Sequence, residues 1–261
     1  MSMYETIRFE QSGGIARITL NRPEAANGIN HVLGHELAEI ASLVADDPAV
    51  KVVTLTGEGK FFSAGGDLKA MAANESKADA YVKGLADDLH RALSSFARMD
   101  ALLIIGVNGV AAGAGFSLAV TGDLVIAADT ASFTMAYTRA GLSPDGGATY
   151  YLPRLIGLRR SQELMLTNRS LSAAEALDWN LLHRVVPAAE LATAVDELAA
   201  QFAAGPKLSN ANVKKLLLVS SDHTLEDQLA REAAFISHCA DSADGQEGIA
   251  AFLGKRTPKF A

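Results

Sequence analysis

Dense apolar runs alternate with helically spaced apolar residues along this chain. Residues 50–56 (VKVVTLT) and 102–107 (LLIIGV) are nearly unbroken runs of aliphatic and β-branched side chains. Such runs predict strands that are buried on both faces. Shorter apolar stretches at residues 15–20 and 124–127 predict two further strands.

Helical patterns separate and follow these strands. Residues 30–45 predict one helix, and residues 80–99 predict another because leucines recur there at every fourth position. From Ser161 onward the pattern is almost wholly helical, with Gly205 and Pro206 as a candidate hinge. Strands that alternate with helices predict an α/β chain with a largely parallel sheet.

Composition and charge narrow the class of protein. The 261 residues suit one large domain, and the net charge of -7 argues against general binding of nucleic acid. The single cysteine, Cys239, allows no intramolecular disulfide, which fits a reducing, cytoplasmic compartment. The N-terminus lacks a secretory signal pattern, and no apolar run is long enough to predict a membrane span.

Two glycine-rich segments are candidates for chemistry. Residues 57–68 (GEGKFFSAGGDL) and 108–117 (NGVAAGAGFS) each follow a predicted buried strand and run toward a predicted helix. Small side chains let a ligand approach the backbone, and N–H groups at a helix start have no internal partner. Two such segments could aim two donors at one oxygen, as an oxyanion hole requires. Taken singly, each is more simply explained as a tight turn.

A third segment, residues 141–149 (GLSPDGGAT), carries Asp145 between a proline and two glycines. On local sequence alone, Asp145 is slightly better explained as the N-cap of a helix in a turn than as a catalytic residue. Other motifs are weak. The glycine segments contain neither the G-x-G-x-x-G nor the G-x-x-x-x-G-K-[ST] pattern of nucleotide-binding loops. His31 and His35 lack the intervening glutamate of a metalloprotease site. No metal site is predicted.

These segments, with motifs elsewhere, resemble the crotonase superfamily, also called the enoyl-CoA hydratase/isomerase family. The similarity runs along essentially the whole chain and includes residues 18–23 (ITLNRP), 151–157 (YLPRLIG) and 247–253 (EGIAAFL). The resemblance implies an α/β spiral of ββα units over residues 1–200. It also implies a C-terminal helical region over residues 201–261 that forms trimers or pairs of trimers and closes over CoA.

The resemblance also implies an acyl-CoA substrate and no cofactor other than the CoA of that substrate. Carried onto this chain, the two backbone donors that hold the thioester oxygen are Gly66 and Ala114. The residues implied to bind the substrate are Glu24, Ala25, Ala26, Ser63, Ala64, Gly65, Asp67, Leu68, Gly113, Phe252 and Lys255.

The chain departs from the hydratases of this family at two positions. Where they have two catalytic glutamates, this sequence has Ser117 and Tyr137, so ordinary hydration is disfavoured. Asp145 matches the aspartate of the double-bond isomerases of phenylacetate catabolism. The resemblance therefore predicts isomerisation, with Asp145 as the proton shuttle and Tyr137 as a further candidate catalytic residue.

Enoyl-CoA hydration remains open as an alternative, and so do two others. In the related 4-chlorobenzoyl-CoA dehalogenases, an aspartate at the position of Asp145 is the nucleophile and a histidine at the position of His90 is the base. The chain could also be an acyl-CoA-binding protein without strong catalysis. The sequence leaves the acyl group open; the candidates for lining its pocket are Leu89, Phe116, Tyr137 and Leu142.

Overall fold

Two sheets form the framework of the molecule in a computed structural model that describes residues 4–74 and 77–261. The larger sheet has the strand order β1-β2-β3-β5-β7-β10, and the smaller has the order β4-β6-β8-β9. The strands are β1 Ile7–Ser12, β2 Ile15–Leu20, β3 Val52–Gly57, β4 Phe61–Ser63, β5 Leu102–Val107, β6 Val110–Ala112, β7 Leu124–Ala128, β8 Ser132–Thr134, β9 Leu171–Ser172 and β10 Arg184–Val186.

Helices surround the sheets and make up most of the second half of the chain. Short 3-10 turns accompany them at Pro23–Ala25, Thr138–Ala140 and Ala188–Glu190. The helices are α1 His31–Asp46, α2 Leu68–Ala72, α3 Ala78–Arg98, α4 Ala114–Ala119, α5 Ala148–Thr167, α6 Ala173–Asp178, α7 Leu191–Ala203, α8 Lys207–Val219, α9 Leu225–Asp241 and α10 Ala243–Leu253.

The predicted parallel sheet is confirmed. Strand β3 pairs in parallel with β2 and β5, and β5 pairs in parallel with β7. All six residues of β5 are buried, as its uninterrupted aliphatic run predicts. The antiparallel strand β1 covers the edge of β2.

Three strands of the smaller sheet are reached by the same local path of the chain. After β3, β5 and β7, the chain makes a turn and adds the short strands β4, β6 and β8 respectively. These three-residue strands were not predicted, because three positions are too few to show a period of two. Each glycine-rich segment thus crosses from one sheet to the other before its helix begins.

Helix α1 packs on α3 against one side of the core. Asn30 caps α1 by accepting a hydrogen bond from the backbone N–H of Leu33 at 3.0 Å. Among the described residues, no helix is both long and apolar enough to cross a bilayer. The division at residue 200 stays a prediction, although α8, α9 and α10 do follow one another in the predicted C-terminal region.

Candidate active site

The two glycine-rich segments lie against each other where the smaller sheet meets α4. Gly65, with a φ of +89°, is so close to the second segment that a Cβ there would lie 2.6 Å from the carbonyl oxygen of Ala112. The same Cβ would lie 3.0 Å from the amide nitrogen of Ala114. Only glycine permits both this φ and this approach.

The fully buried side chain of Asn27 holds the first segment in place. Its amide donates to the carbonyl oxygens of Glu58 and Phe61 at 2.9 and 2.8 Å, and its Oδ1 accepts from the N–H of Arg22 at 2.9 Å. The hydroxyl of Ser63 donates to the carbonyl oxygen of Asn27 at 2.8 Å. The path of the loop that leads to Gly66 is therefore set by side-chain hydrogen bonds.

Two backbone N–H groups are left free at this junction. The bonds from Ile29 N–H to the carbonyl of Gly65 (2.7 Å) and from Asp67 N–H to the carbonyl of Ile29 (2.9 Å) flank Gly66. Ala114 is the first residue of α4, so its N–H has no partner inside the helix. Within residues 4–74 and 77–261, neither the Gly66 nor the Ala114 N–H has a hydrogen-bond acceptor.

Both free N–H groups belong to residues that line one cavity of about 580 Å³. Its wall is mainly aliphatic, with side chains from α2, α3 and the loop before α5. The predicted lining residues Leu89, Tyr137 and Leu142 are all present. Other apolar lining side chains include Ile29, Met71, Val82, Leu85, Ala86, Ala140 and Pro144, and the charged Asp79 and Lys83 also line the cavity. The cavity is suited to an apolar group.

The prediction that Phe116 lines this cavity is wrong. Its side chain is fully buried, and its ring packs against that of Phe133 with centroids 5.3 Å apart. Every residue of α4 is buried, and Ser117 is its one polar residue, so the sequence of this short helix shows no contrast between a buried and an exposed face that would indicate which side meets the cavity. Val82 was missed, although it shares a helix face with Leu85 and Leu89 at the spacing that predicted α3.

Asp145 lies in the loop between the 3-10 turn Thr138–Ala140 and α5, on the wall of the cavity. Its Oδ1 is 2.5 Å from Nε2 of His90, which is half exposed on α3. Asp145 is not the N-cap of α5; that position is Gly147, which makes no side-chain cap bond. The carboxylate is therefore free of a capping role and faces a histidine.

Tyr137 and Ser117 form a hydrogen-bonded pair beside Asp145. The hydroxyl of Ser117 is 2.9 Å from that of Tyr137, which donates to the backbone carbonyl of Asp145 at 3.2 Å. Burial raises the pKa of Tyr137 far above its ordinary value, outweighing the hydrogen bond from Ser117, so the phenol is protonated near neutral pH. This pair offers no carboxylate.

The other residues expected to bind substrate, apart from Asp67, fall into four groups. Ala64, Leu68 and Gly113 line the cavity, whereas Ser63 and Gly65 are buried beneath it. The exposed Phe252 and Lys255 lie in and just after α10. Glu24, Ala25 and Ala26 form or adjoin a 3-10 turn that is bonded to the first glycine segment through the N–H of Ala64 and the carbonyl of Ala26, at 2.9 Å.

Asp67 has a structural task at the rim of this site. Its carboxylate accepts from Arg22 at 3.2 Å and caps α2 by accepting from the N–H of Ala70 at 3.1 Å. Burial acts to raise the pKa of Asp67, but these bonds outweigh it and hold the pKa below its usual value. Across the described chain there is no group of three or more His, Cys, Asp or Glu residues able to hold a metal ion.

Comparison with known proteins identifies the class to which this fold and site belong. The sequence profile of the enoyl-CoA hydratase/isomerase family matches residues 10–261, and the chain belongs to this family, within the crotonase superfamily. The predicted crotonase-like α/β fold is confirmed.

Individual relatives span the whole chain. The 1,2-epoxyphenylacetyl-CoA isomerase of Escherichia coli (strain K12) is 38% identical, with 99% of each chain covered. A carnitinyl-CoA dehydratase of Escherichia coli O157:H7 is 36% identical, with 98% of each covered. The crystal structure of an enoyl-CoA hydratase from Polaromonas sp. JS666 superposes with a TM-score of 0.93 at 34% identity, covering 98% of this chain and 99% of that one.

Proposed function

We propose that this protein is an enoyl-CoA isomerase that moves a carbon–carbon double bond within an acyl-CoA thioester. Asp145 removes a proton from the carbon α to the thioester of a 3-enoyl-CoA. The N–H groups of Gly66 and Ala114 hold the oxygen of the resulting dienolate. Asp145 then returns the proton to the γ-carbon, which leaves the double bond conjugated with the carbonyl. No cofactor takes part other than the CoA of the substrate.

One observation carries this proposal: a carboxylate and two unpartnered N–H donors share the wall of one apolar cavity. A base and an oxyanion hole are the two parts that a proton shift next to a thioester requires. Among the residues that the structure describes, Asp79 is the other carboxylate on this wall, and it is exposed in the first turn of α3. Asp145 differs from it in having a histidine against its carboxylate.

A further observation favours isomerisation over hydration. Ser117 and Tyr137 occupy the hydratase glutamate positions and hydrogen-bond to each other. A general base for water is therefore lacking at these two positions.

A second candidate function is hydrolytic removal of a halide from an aryl-CoA thioester. The short His90–Asp145 contact favours it, because a histidine at that place could activate the water that releases an aspartyl ester. In that reaction Asp145 would attack the aryl carbon and chloride would leave. The mainly aliphatic wall offers an aryl ring little stacking surface, which favours the isomerase.

A pair of assays separates the two candidates. Purified protein is incubated with a 3-enoyl-CoA in heavy water, and the ultraviolet absorbance of the conjugated product and its deuterium content are followed. A parallel sample contains 4-chlorobenzoyl-CoA and is assayed for chloride. Conjugation supports the isomerase, with deuterium uptake to the extent that the proton on Asp145 exchanges with solvent before it is returned, and chloride release supports the alternative. Binding of both thioesters without turnover would contradict both functions and leave an acyl-CoA-binding protein.

We also propose that the protein assembles as a homotrimer or a pair of trimers. Helix α9 buries none of its residues within one chain. Its exposed Leu225, Leu229 and Ile236 lie within about 40° of one another around the helix axis. Exposed apolar side chains continue on α8 and α10, including Leu217 and Phe252. Exposed apolar side chains in this number are suited to burial against further copies of the chain.

A further inference from the structure

The loop that carries Asp145 has few backbone bonds of its own. The carbonyl of Asp145 accepts from the N–H of Ala148 only at 3.4 Å, and Gly146 and Gly147 follow with φ values of +63° and +75°. Positive φ values at two successive residues favour glycine. Glycine restricts backbone rotation less than other residues do, so these two positions restrain the loop little by themselves. Something other than the backbone must hold Asp145 in one orientation.

Tyr137 supplies that restraint through a hydrogen bond to the backbone of the loop. Its hydroxyl donates to the carbonyl of Asp145 at 3.2 Å, and its own oxygen is 2.9 Å from the hydroxyl of the fully buried Ser117. Ser117 belongs to α4, the helix whose first residue carries the free N–H of Ala114. The pair therefore connects the helix of the proposed oxyanion hole to the loop of the proposed base.

The hydrogens of this pair have one favoured arrangement. The carbonyl of Asp145 can only accept, so the Tyr137 proton points to it. The Ser117 proton can reach either the Tyr137 oxygen at 2.9 Å or the carbonyl of Gly113 at 3.3 Å, and the shorter contact is the stronger one. Both hydroxyl protons then run in one direction, from α4 to the Asp145 carbonyl.

Close packing also fixes the contact between the Asp145 loop and α4. A Cβ on Gly146 would lie 2.8 Å from Cβ of Ser117, so the loop rests directly on α4 at this point. Replacing Ser117 by alanine keeps that Cβ, and replacing Tyr137 by phenylalanine keeps the ring. The hydroxyl bonds can thus be removed without opening the packing.

We propose that Tyr137, oriented by Ser117, is a positioning residue that fixes the Asp145 carboxylate relative to the Ala114 N–H by holding the Asp145 backbone carbonyl. This role rests on the proposed isomerase function. Tyr137 acts on the reaction through Asp145 and not as an acid or base, in the position where hydratases of the family have a glutamate.

Kinetics of Tyr137→Phe test the role. We expect kcat for the 3-enoyl-CoA to fall about 10-fold to 100-fold, because small misplacement of a reacting group is costly, while KM changes by less than about threefold. Proton removal should also become more fully rate-limiting. The isotope effect on kcat with substrate deuterated at the α-carbon should therefore exceed that of the wild type. If the variant were only partly folded, kcat would fall but the isotope effect would stay at the wild-type value.

A double-mutant cycle adds a second readout. Ser117→Ala should lower kcat less than Tyr137→Phe does, and the double variant should be no slower than Tyr137→Phe alone, because Ser117 acts only through Tyr137. The matched control is Tyr150→Phe, which removes a hydroxyl that donates to the carbonyl of Leu218 at 3.1 Å, outside the cavity. It should leave kcat unchanged.

The results that would overturn the positioning role differ from those that would overturn the proposed isomerase function. Wild-type kcat in Tyr137→Phe, an unchanged isotope effect, or additive losses in the double variant overturn the positioning role. If Asp145→Asn is inactive in the same assay, that result leaves the proposed function standing. A wild-type protein that does not conjugate a 3-enoyl-CoA overturns the function and the positioning role together.

Discussion

At the scale of single residues, Asp145 is held at two different atoms. His90 contacts its carboxylate through Nε2, and Tyr137 binds its backbone carbonyl. The carboxylate is about one-third exposed at the cavity wall, so it can meet a bound acyl group without leaving its hydrogen-bonded position. In the proposed reaction, His90 orients the base and does not itself carry the transferred proton.

This assignment predicts the behaviour of two variants at residue 90. His90→Ala should lower kcat for the 3-enoyl-CoA about tenfold, because one hydrogen bond to a charged group is lost at a half-exposed site. His90→Gln keeps a side-chain N–H donor and should recover much of that loss. Steady-state kinetics of both variants checks this. Complete inactivity of both, with thioester binding intact, would mean that His90 itself moves a proton.

At the scale of elements, the start of α4 is the critical feature. Ala114 is its first residue, where proline is well tolerated because the N–H has no partner inside the helix. The preceding Gly113 has no Cβ with which a proline ring could clash. The helix start therefore allows one donor of the proposed oxyanion hole to be deleted with little change to the helix.

Ala114→Pro should reduce kcat by about 100-fold or more, the usual cost of losing one oxyanion-hole donor. Circular dichroism and thermal melting must show that the variant is folded, and acyl-CoA binding should weaken much less than turnover. A folded variant that turns over at the wild-type rate would show that the donor has been placed at the wrong residue.

The loop before α2 depends on one buried side chain. Asn27→Ala leaves the carbonyls of Glu58 and Phe61 without their side-chain donor and removes the acceptor of the Arg22 N–H. We expect a loss of about 2–4 kcal/mol in the free energy of unfolding, because buried polar groups are left unpaired. Urea unfolding measures it. Asn74→Ala is the control, since Asn74 donates one bond at an exposed site, and a comparable loss there would contradict the explanation.

The sequence predicted the long helices and strands, but it did not predict the contacts between residues that are far apart in the chain. Strand β5 follows directly from its unbroken aliphatic run. The glycine-rich segments after β3 and β5 indicated that backbone donors could meet there, and the resemblance assigned those donors to Gly66 and Ala114. The contact of His90 with Asp145 joins residues 55 positions apart, so no local pattern carries it. The resemblance placed these residues in roles, but the Ser117–Tyr137–Asp145 connection required the packing of α4 against the loop.

At the scale of the whole molecule, one chain leaves an apolar surface open. Besides α9, the exposed side chains of Ile249, Phe252 and Leu253 on α10 contribute to it. A surface of this kind is suited to pairing with further copies of the chain, which is how the proposed trimer would bury it.

Light scattering tests this assembly. The wild-type protein should have three or six times the 27.3 kDa mass of one chain. Ile236→Asp places a charge at a side chain that is 71% exposed in the monomer, so it should leave the fold intact but dissociate the assembly. Glu232→Asp, an exposed change on the same helix that keeps the charge, should not alter the mass. A monomeric wild-type protein would contradict the proposed assembly.

The most direct test of the central claim is turnover and binding of a 3-enoyl-CoA by Asp145→Asn, which keeps the size of the side chain and removes the base. The account predicts a loss of conjugation by at least about 1,000-fold, in the range expected when an essential proton-transfer group is removed. Thioester affinity should be nearly unchanged, and Asp79→Asn should remain active. Full activity of Asp145→Asn, or inactivity of Asp79→Asn alone, would contradict the account and move the base elsewhere on the cavity wall.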